Sequence, residues 1–216
     1  MRIVLIHALE GAIGPIREAF EADWPQAGIF NLMDDSLSVD RARDGGLTPA
    51  MVERFVTLTD YAVAAGADGI LFTCSAFHRA IEVARAKHTI PILKPDEAMM
   101  EAALEAERHI ALLATFEPTL ATAKAEMERL AAAAGRRIEV SAVHVPGALS
   151  ALQAGDAAGH DDLIVRKAGE LTGADAVMLA QFTMAPVAPR VRLPGGGPVF
   201  TSPGTAVRKL RQRLGG

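Results

Sequence analysis

Cysteine, aromatic side chains and long apolar runs are all scarce in this chain. It contains one cysteine, one tryptophan and one tyrosine among 216 residues. A single cysteine excludes an intrachain disulfide, so we expect a protein of a reducing, cytoplasmic compartment. No apolar run approaches the length of about 20 residues that a membrane-spanning helix needs. The apolar start Met1–Ile6 is too short for a signal peptide, which again favours a cytoplasmic protein without a membrane partner.

Strong charge of either sign is also missing. The formal net charge is −4 and the sequence pI is about 5.9. A chain with this charge lacks the excess of basic residues that nucleic-acid-binding proteins have, so we expect a small-molecule ligand instead. Hydrophobic residues make up 50% of the chain, which is enough to fill a sizeable core in one or two domains.

The chain contains an internal repeat with an offset of 107 positions, which is the distance from Cys74 to Gln181. Three strand-like segments align at this offset without a gap. They are Arg2–Ile6 with His109–Leu113, Gly66–Cys74 with Gly173–Gln181, and Pro91–Leu93 with Pro198–Phe200. A shared offset across separate segments predicts two copies of one folding unit. The repeat places the only thiol of the chain at a position where the second copy has a glutamine.

Short apolar runs alternate with helical patterns in each copy, which predicts βαβ units and parallel sheets. We therefore expect an α/β protein of two pseudo-symmetric, three-layer lobes, each a four-stranded parallel sheet flanked by helices. The predicted first lobe comprises residues 1–96 plus 204–216, and the second comprises 97–203. Thr48 and Pro49 predict the start of a helix that runs to about Ala65. Residues 34–46 are predicted to form a loop, and a helix is predicted directly after Cys74.

Ligands of open parallel α/β sheets bind beyond the carboxyl ends of the strands, where several polar residues of this chain fall. Cys74 is one of them, and it precedes a predicted helix start. Backbone N–H groups and the helix dipole at such a position lower the pKa of a thiol. The alternative is that Cys74 is a small buried hydrophobic residue. His7 is either the base for Cys74 or a hydrogen-bonded structural histidine.

Other polar residues at these strand ends permit two interpretations each. Asp34, Asp35 and Ser36 could bind a ligand amine or cap the loop. Thr115 and Thr119 could bind a carboxylate or cap the helix that follows. The histidines show no metal-ligand spacing, so we predict no metal site.

The duplicated unit, the stretch Thr73–His78 and the stretch Leu112–Thr119 resemble the Asp/Glu/hydantoin racemase superfamily. That superfamily includes aspartate, glutamate and hydantoin racemases, maleate isomerase and arylmalonate decarboxylase. The resemblance covers essentially the whole chain. It implies two pseudo-symmetric lobes with the site between them, chemistry without a cofactor, and one cysteine from each lobe.

The resemblance also assigns candidate roles to residues. Cys74 matches the cysteine of the first lobe, and His7 ends the strand where some members carry an acid that assists the thiol. The candidate substrate contacts are Ser75, Ala76, Thr115, Thr119, Gln181 and Phe182.

This sequence departs from the family pattern at Gln181, which stands where the second cysteine belongs. Racemisation with two bases removes a proton from one face and returns one to the other, and an amide cannot exchange protons at useful pH. It can donate a hydrogen bond to a developing enolate oxygen.

We therefore expect a cofactor-independent, cysteine-dependent enzyme that moves a proton next to the carboxylate of a small acid or amino-acid-like substrate. The alternatives are a single-thiol decarboxylase of malonate-like acids and a non-catalytic two-lobed protein that binds a small acid. Oligomeric state stays open, with a homo-oligomer among the options.

Overall fold

The computed structural model describes residues 1–106 and 108–216. The chain divides into two compact units. The first unit comprises Met1–Pro95 and Pro203–Gly216, and the second comprises Asp96–Ser202. In the described residues, no helix is both long and apolar enough to cross a membrane.

Among the residues that the structure describes, each unit contains one four-stranded sheet, and all of the strand pairs are parallel. The strands are Arg2–His7 (β1), Gly28–Met33 (β2), Gly69–Phe72 (β3), Ile92–Leu93 (β4), His109–Ala114 (β5), Glu139–His144 (β6), Ala176–Leu179 (β7) and Val199–Thr201 (β8). The strand order is β2-β1-β3-β4 in the first unit and β6-β5-β7-β8 in the second. The two orders are the same, as expected for a duplicated unit.

Helices flank both sheets, so the predicted α/β architecture is confirmed. The α-helices are Ile13–Asp23 (α1), Ser36–Arg43 (α2), Pro49–Ala64 (α3), His78–Arg85 (α4), Glu97–Ala106 (α5), Glu117–Ala133 (α6), Ala148–Gln153 (α7), Ala157–Gly169 (α8) and Ser202–Arg213 (α9). Short 3-10 helices cover Glu10–Ala12, Ser75–Phe77 and Phe182–Arg190. The predicted start of α3 is also confirmed, because Thr48 Oγ1 accepts a hydrogen bond from the N–H of Met51 at 3.3 Å.

The same local hydrogen bonds recur in both units at the offset of the repeat. In the first unit the N–H of Arg2 donates to Asp68 Oδ2 at 2.6 Å, and the N–H of Asp68 donates to the carbonyl of Arg2 at 2.8 Å. In the second unit His109 and Asp175 make the equivalent pair of bonds, at 2.9 and 2.8 Å. Each aspartate thereby aligns the start of its central strand with the start of the neighbouring one.

The structure corrects two local predictions. The stretch 34–46 was predicted as a loop but contains α2, of which only Leu37 is buried. This helix is held at its start and middle by Arg54 of α3, which pairs with Asp34 and Asp40. The second correction concerns the chain after Cys74, where the 3-10 turn Ser75–Phe77 comes before α4.

Candidate active site

The thiol lies at the carboxyl end of β3, in the first unit. Cys74 has extended backbone angles (φ −125°, ψ 116°), is half-buried and packs against the core of its unit. The turn that follows lets Phe77 enter this core, where its ring centroid lies 4.9 Å from that of Phe55. Phe55 also packs against Phe72 of β3, at 5.4 Å between centroids. Cys74 is therefore anchored on both sides, by the buried strand before it and by the buried ring after it.

His7 ends the neighbouring strand β1 and is completely buried. Its Nδ1 lies 2.8 Å from Thr73 Oγ1, and its Nε2 lies 2.9 Å from Asn31 Oδ1. Since the carbonyl oxygen of Asn31 can only accept, the proton is assigned to Nε2, and Nδ1 accepts from the hydroxyl of Thr73. Burial lowers the pKa of His7 below its usual value, although the hydrogen bond to Asn31 acts in the opposite direction.

These contacts are those of a hydrogen-bonded structural histidine, which is the second interpretation of His7, and not those of a base for Cys74. Both ring nitrogens are engaged, and the pKa shift favours the neutral ring. Thr73 immediately precedes Cys74, and its N–H also donates to the carbonyl of Ile6 at 3.1 Å. His7 therefore fixes the end of β3 from which Cys74 projects.

Asp34 lies beyond the carboxyl end of β2, next to β1. Arg54 Nε donates to Asp34 Oδ2 at 2.9 Å, and Ser36 Oγ donates to Asp34 Oδ1 at 2.8 Å. Burial raises the pKa of Asp34, but the hydrogen bonds from Arg54 and Ser36 and the charge of Arg54 together hold it below its usual value. The carboxylate is thus paired within its own unit, which disfavours it as the partner of a ligand amine.

In the second unit, Gln181 follows β7 and contacts the loop that follows β5. Its Oε1 accepts from the N–H of Thr115 at 2.7 Å, from Thr115 Oγ1 at 2.9 Å and from the N–H of Phe116 at 3.3 Å. Thr115 is only 3% exposed, and Gln181 is half-buried. The structure therefore brings together Thr115 and Gln181, two of the predicted substrate contacts, and it pairs them with each other. Within residues 1–106 and 108–216, the Nε2 group of Gln181 has no hydrogen-bond partner.

The other predicted substrate contacts lie at the same strand ends of their units. Ser75 and Ala76 form the half-buried turn after Cys74. Thr119 lies in the first turn of α6 and is 8% exposed, and its N–H donates to the carbonyl of Phe116 at 3.0 Å. Phe182 opens the 3-10 helix after Gln181 and is 5% exposed.

Two apolar side chains at these strand ends were missed by the sequence interpretation. Leu9 follows β1 and is 52% exposed, and Phe116 follows β5 and is 43% exposed. They are separated by the offset of the repeat, so each unit exposes one apolar side chain at the same place. The repeat itself was the signal that could have identified them. Sequence reasoning also missed Asn31 and Arg54, whose partners are distant in the chain.

No group of three or more His, Cys, Asp or Glu side chains converges as metal ligands within the part of the chain that the structure describes. The functional groups of the candidate site residues are a thiol, hydroxyls, a side-chain amide and backbone N–H groups. Such groups can move a proton, donate hydrogen bonds to oxygen atoms and bind a carboxylate.

Comparisons with known proteins agree with this fold. A family model described as Asp/Glu/Hydantoin racemase matches residues 16–210. No curated protein matches the chain in a search by sequence.

Among solved structures, glutamate racemase from Campylobacter jejuni is similar, with a TM-score of 0.74, 16% identity and coverage of 99% of this chain and 86% of that one. Allantoin racemase from Pseudomonas fluorescens has a TM-score of 0.70, with 20% identity and coverage of 100% and 92%. A glycine-to-cysteine mutant of arylmalonate decarboxylase, in its sulfate-associated form, has a TM-score of 0.66, with 19% identity and coverage of 100% and 94%.

Proposed function

The chain belongs to the Asp/Glu/Hydantoin racemase family, and from that premise we propose that it is an enzyme that moves a proton at a carbon atom next to a carboxylate or carbonyl group. The proposed acid/base group is Cys74. The observation that supports this role is the position of the only thiol of the chain, half-buried at the carboxyl end of β3 and anchored by the core on both sides. The proposed substrate is a small acid or an amino-acid-like molecule.

In the proposed reaction, the Cys74 thiolate removes the proton from the carbon atom. The electron pair of the C–H bond moves toward the adjacent carbonyl or carboxylate, which becomes an enolate. The thiol then returns a proton to the enolate. Return to the same face of the same carbon only exchanges the hydrogen atom, whereas return to another carbon of a conjugated substrate isomerises it. An ordinary thiol, with a pKa of about 8.5, is only a few per cent ionised at neutral pH, so the reaction depends on the fraction of thiolate.

His7 enters this proposal as a positioning residue. A neutral imidazole with both nitrogens engaged has to break a hydrogen bond before it accepts a proton. Its bond to Thr73 instead holds the residue from which Cys74 continues. We therefore propose that His7 keeps the thiol oriented, and that the thiolate is stabilised by backbone N–H groups at the start of the turn Ser75–Phe77.

We propose which hydrogen-bond donors of the protein bind the oxygen atoms of the substrate. Ser75 and the N–H groups of the turn at Ala76 are proposed to bind the carboxylate, with Thr119 and Phe182 as further contacts. Gln181 is proposed to donate from Nε2 to the oxygen on which the enolate charge develops, since a neutral amide donor in a partly buried site stabilises such a charge. Gln181 has no titratable group, so proton transfer is expected from the thiol alone.

A second candidate function is the decarboxylation of a malonate-like acid. It is favoured by the single thiol of the chain, because this reaction needs a proton on one face only. The bond from the central carbon to one carboxylate breaks, its electron pair forms an enolate, and carbon dioxide leaves. Cys74 then protonates the carbon and recovers its proton from water. A non-catalytic protein that binds a small acid is the remaining alternative, and an unreactive Cys74 thiol would favour it.

The proposal is tested with a panel of amino acids, hydantoins and substituted malonates incubated in heavy water. Proton NMR reports deuterium uptake and loss of carbon dioxide in the same samples. We expect uptake or decarboxylation for at least one class, and loss of the activity in Cys74→Ala. Cys74→Ala with wild-type activity would exclude the thiol mechanism. Ser150→Ala, a hydroxyl change in α7, is the control for an unspecific effect of substitution.

A further inference from the structure

Three hydrogen-bond donors converge on the amide oxygen of Gln181: the N–H of Thr115, the hydroxyl of Thr115 and the N–H of Phe116. We call these three groups the Thr115–Phe116 donor group. Two successive backbone N–H groups and a hydroxyl directed at one oxygen atom form the kind of array that proteins use for a carboxylate or an oxyanion. The array directly precedes α6, a helix of 17 residues. Its dipole adds a partial positive charge at this end.

The orientation of the Gln181 amide follows from these contacts. Backbone N–H groups can only donate, so the atom that they contact has to be the oxygen. The Nε2 group then points away from the donor group, and it has no partner in the described part of the chain. Gln181 thus occupies the donor group with its own carbonyl and offers a neutral N–H donor in its place.

Because the Gln181 amide covers the donor group, the second unit can bind different substrate groups from those that an open donor group would bind. A carboxylate bound at the donor group itself would receive several hydrogen bonds beside a helix start, which offsets the cost of removing the charge from water. A carboxylate bound at Gln181 would receive hydrogen bonds from a single amide group, instead of from the three donors that converge on Gln181 Oε1. A neutral carbonyl oxygen has a smaller desolvation cost, and one such donor satisfies it.

The neighbouring side chain supports the same assignment. Phe116 contributes an N–H to the donor group, and 43% of its surface remains exposed. An exposed aromatic ring on a residue of the donor group suits a substrate that has an apolar part. At the equivalent position of the first unit, the chain has Cys74 instead of Gln181, and a cysteine supplies no carboxamide.

We propose that Gln181 is a specificity-determining residue that fills a carboxylate-binding array, so that the substrate carries one carboxylate and meets Gln181 with an uncharged carbonyl. The substrate class is therefore a monocarboxylic acid with an amide, imide or ester carbonyl and an apolar substituent. A small dicarboxylic acid, including the malonate-like acid of the second candidate function, is then a poor substrate, so the assignment favours the first candidate function over the second. This assignment rests on the proposed function, because it names the substrate of the same site.

The occupation of the donor group is tested first, without any catalytic readout. Acetate is titrated into 15N-labelled protein, and NMR follows the amide signals of Thr115 and Phe116. We expect no saturable shift of these two signals in the wild type. In Gln181→Ala the donor group is open, and acetate should bind there at least about tenfold more tightly, as charge-assisted hydrogen bonds of about 1.4 kcal/mol or more would give.

Two further variants make this titration specific. Gln181→Glu keeps an oxygen in the donor group, so acetate should again leave both signals unchanged. Thr115→Val in the Gln181→Ala background removes the hydroxyl donor and should weaken acetate binding. Gln212→Ala, an exposed glutamine of α9, is the matched control and should behave like the wild type. Saturable shifts in the wild type, or no shifts in Gln181→Ala, would overturn the occupation of the donor group by Gln181.

The substrate class is tested next with matched pairs of a monoacid amide and the corresponding diacid. The wild type should prefer the amide in kcat/KM, and Gln181→Ala should lose at least about tenfold of that preference through better use of the diacid. A wild type that prefers the diacid would overturn the assignment. Absence of turnover with every compound would overturn the proposed function, while the acetate titration would still decide whether Gln181 occupies the donor group.

Discussion

The packing around Phe55 gives a prediction in which stability and thiol chemistry are linked. Phe55 is 2% exposed, and its ring lies 5.4 Å from Phe72 and 4.9 Å from Phe77 between centroids. Phe55→Leu keeps an apolar side chain but removes both ring contacts, each of which contributes about 0.5–1.5 kcal/mol beyond area burial. With the small void that leucine leaves, we expect a loss of about 2–3 kcal/mol in the free energy of unfolding. This is a large part of the 5–15 kcal/mol that typically stabilises a folded protein.

The measurement is urea unfolding followed by circular dichroism, with the midpoint and slope compared at constant pH. Tyr61→Leu is the matched control, since Tyr61 lies on the same helix and is 63% exposed. We expect the control to change stability by less than about 0.5 kcal/mol. Because Phe77 anchors the turn after Cys74, Phe55→Leu should also change the rate at which iodoacetamide labels the thiol, and Tyr61→Leu should not. Equal stabilities of the two variants would refute the packing argument.

Three other predictions concern the site. Burial lowers the pKa of His7 in the folded protein below the value near 6.5 of the unfolded chain. As the pH falls, the unfolded chain therefore binds the proton before the folded protein does. The contribution of His7 to the free energy of unfolding is complete above pH 6.5 and is lost as the pH falls from there toward the folded pKa. Urea unfolding across this pH range should show that the free energy of unfolding depends less on pH in His7→Gln than in the wild type. The same pH dependence in both proteins would contradict a lowered pKa of His7. Iodoacetamide should label Cys74 at pH 7 faster than it labels glutathione, and a bound carboxylate should protect it; labelling no faster than glutathione would contradict a tuned thiol. Gln181→Cys should add a second acid/base group and allow the opposite enantiomer to form, as detected by chiral chromatography. A single unchanged enantiomer would contradict the proposed equivalence of the two positions.

The architecture could be predicted because it depends on local patterns. Strands buried on both faces are short apolar runs in the sequence, and the repeat doubled the signal for most of them. The helix α2 could not be predicted in this way. It buries only Leu37, and it depends on Arg54, a partner from the next helix that no pattern within residues 34–46 contains.

The positions of the candidate residues at strand ends could be predicted from the sequence, but their hydrogen-bond partners could not. Strand ends indicated His7, Thr115 and Gln181 because parallel sheets collect their functional residues there. The bond from His7 to Asn31 spans 24 positions, and the bond from Thr115 to Gln181 spans 66. Hydrogen bonds between residues so far apart in the chain depend on side-chain geometry in the folded protein. In the proposed mechanism, these bonds decide the roles of His7 and Thr115.

The central claim is that one thiol moves the proton, from one face of the substrate. The most direct measurement takes an accepted substrate of single configuration, incubates it with the wild type in heavy water, and determines deuterium content by mass spectrometry and configuration by chiral chromatography. The predicted result is deuterium uptake with retained configuration, absent in Cys74→Ser. Racemisation by the wild type at ordinary enzymatic rates, or uptake that persists in Cys74→Ser, would contradict the claim.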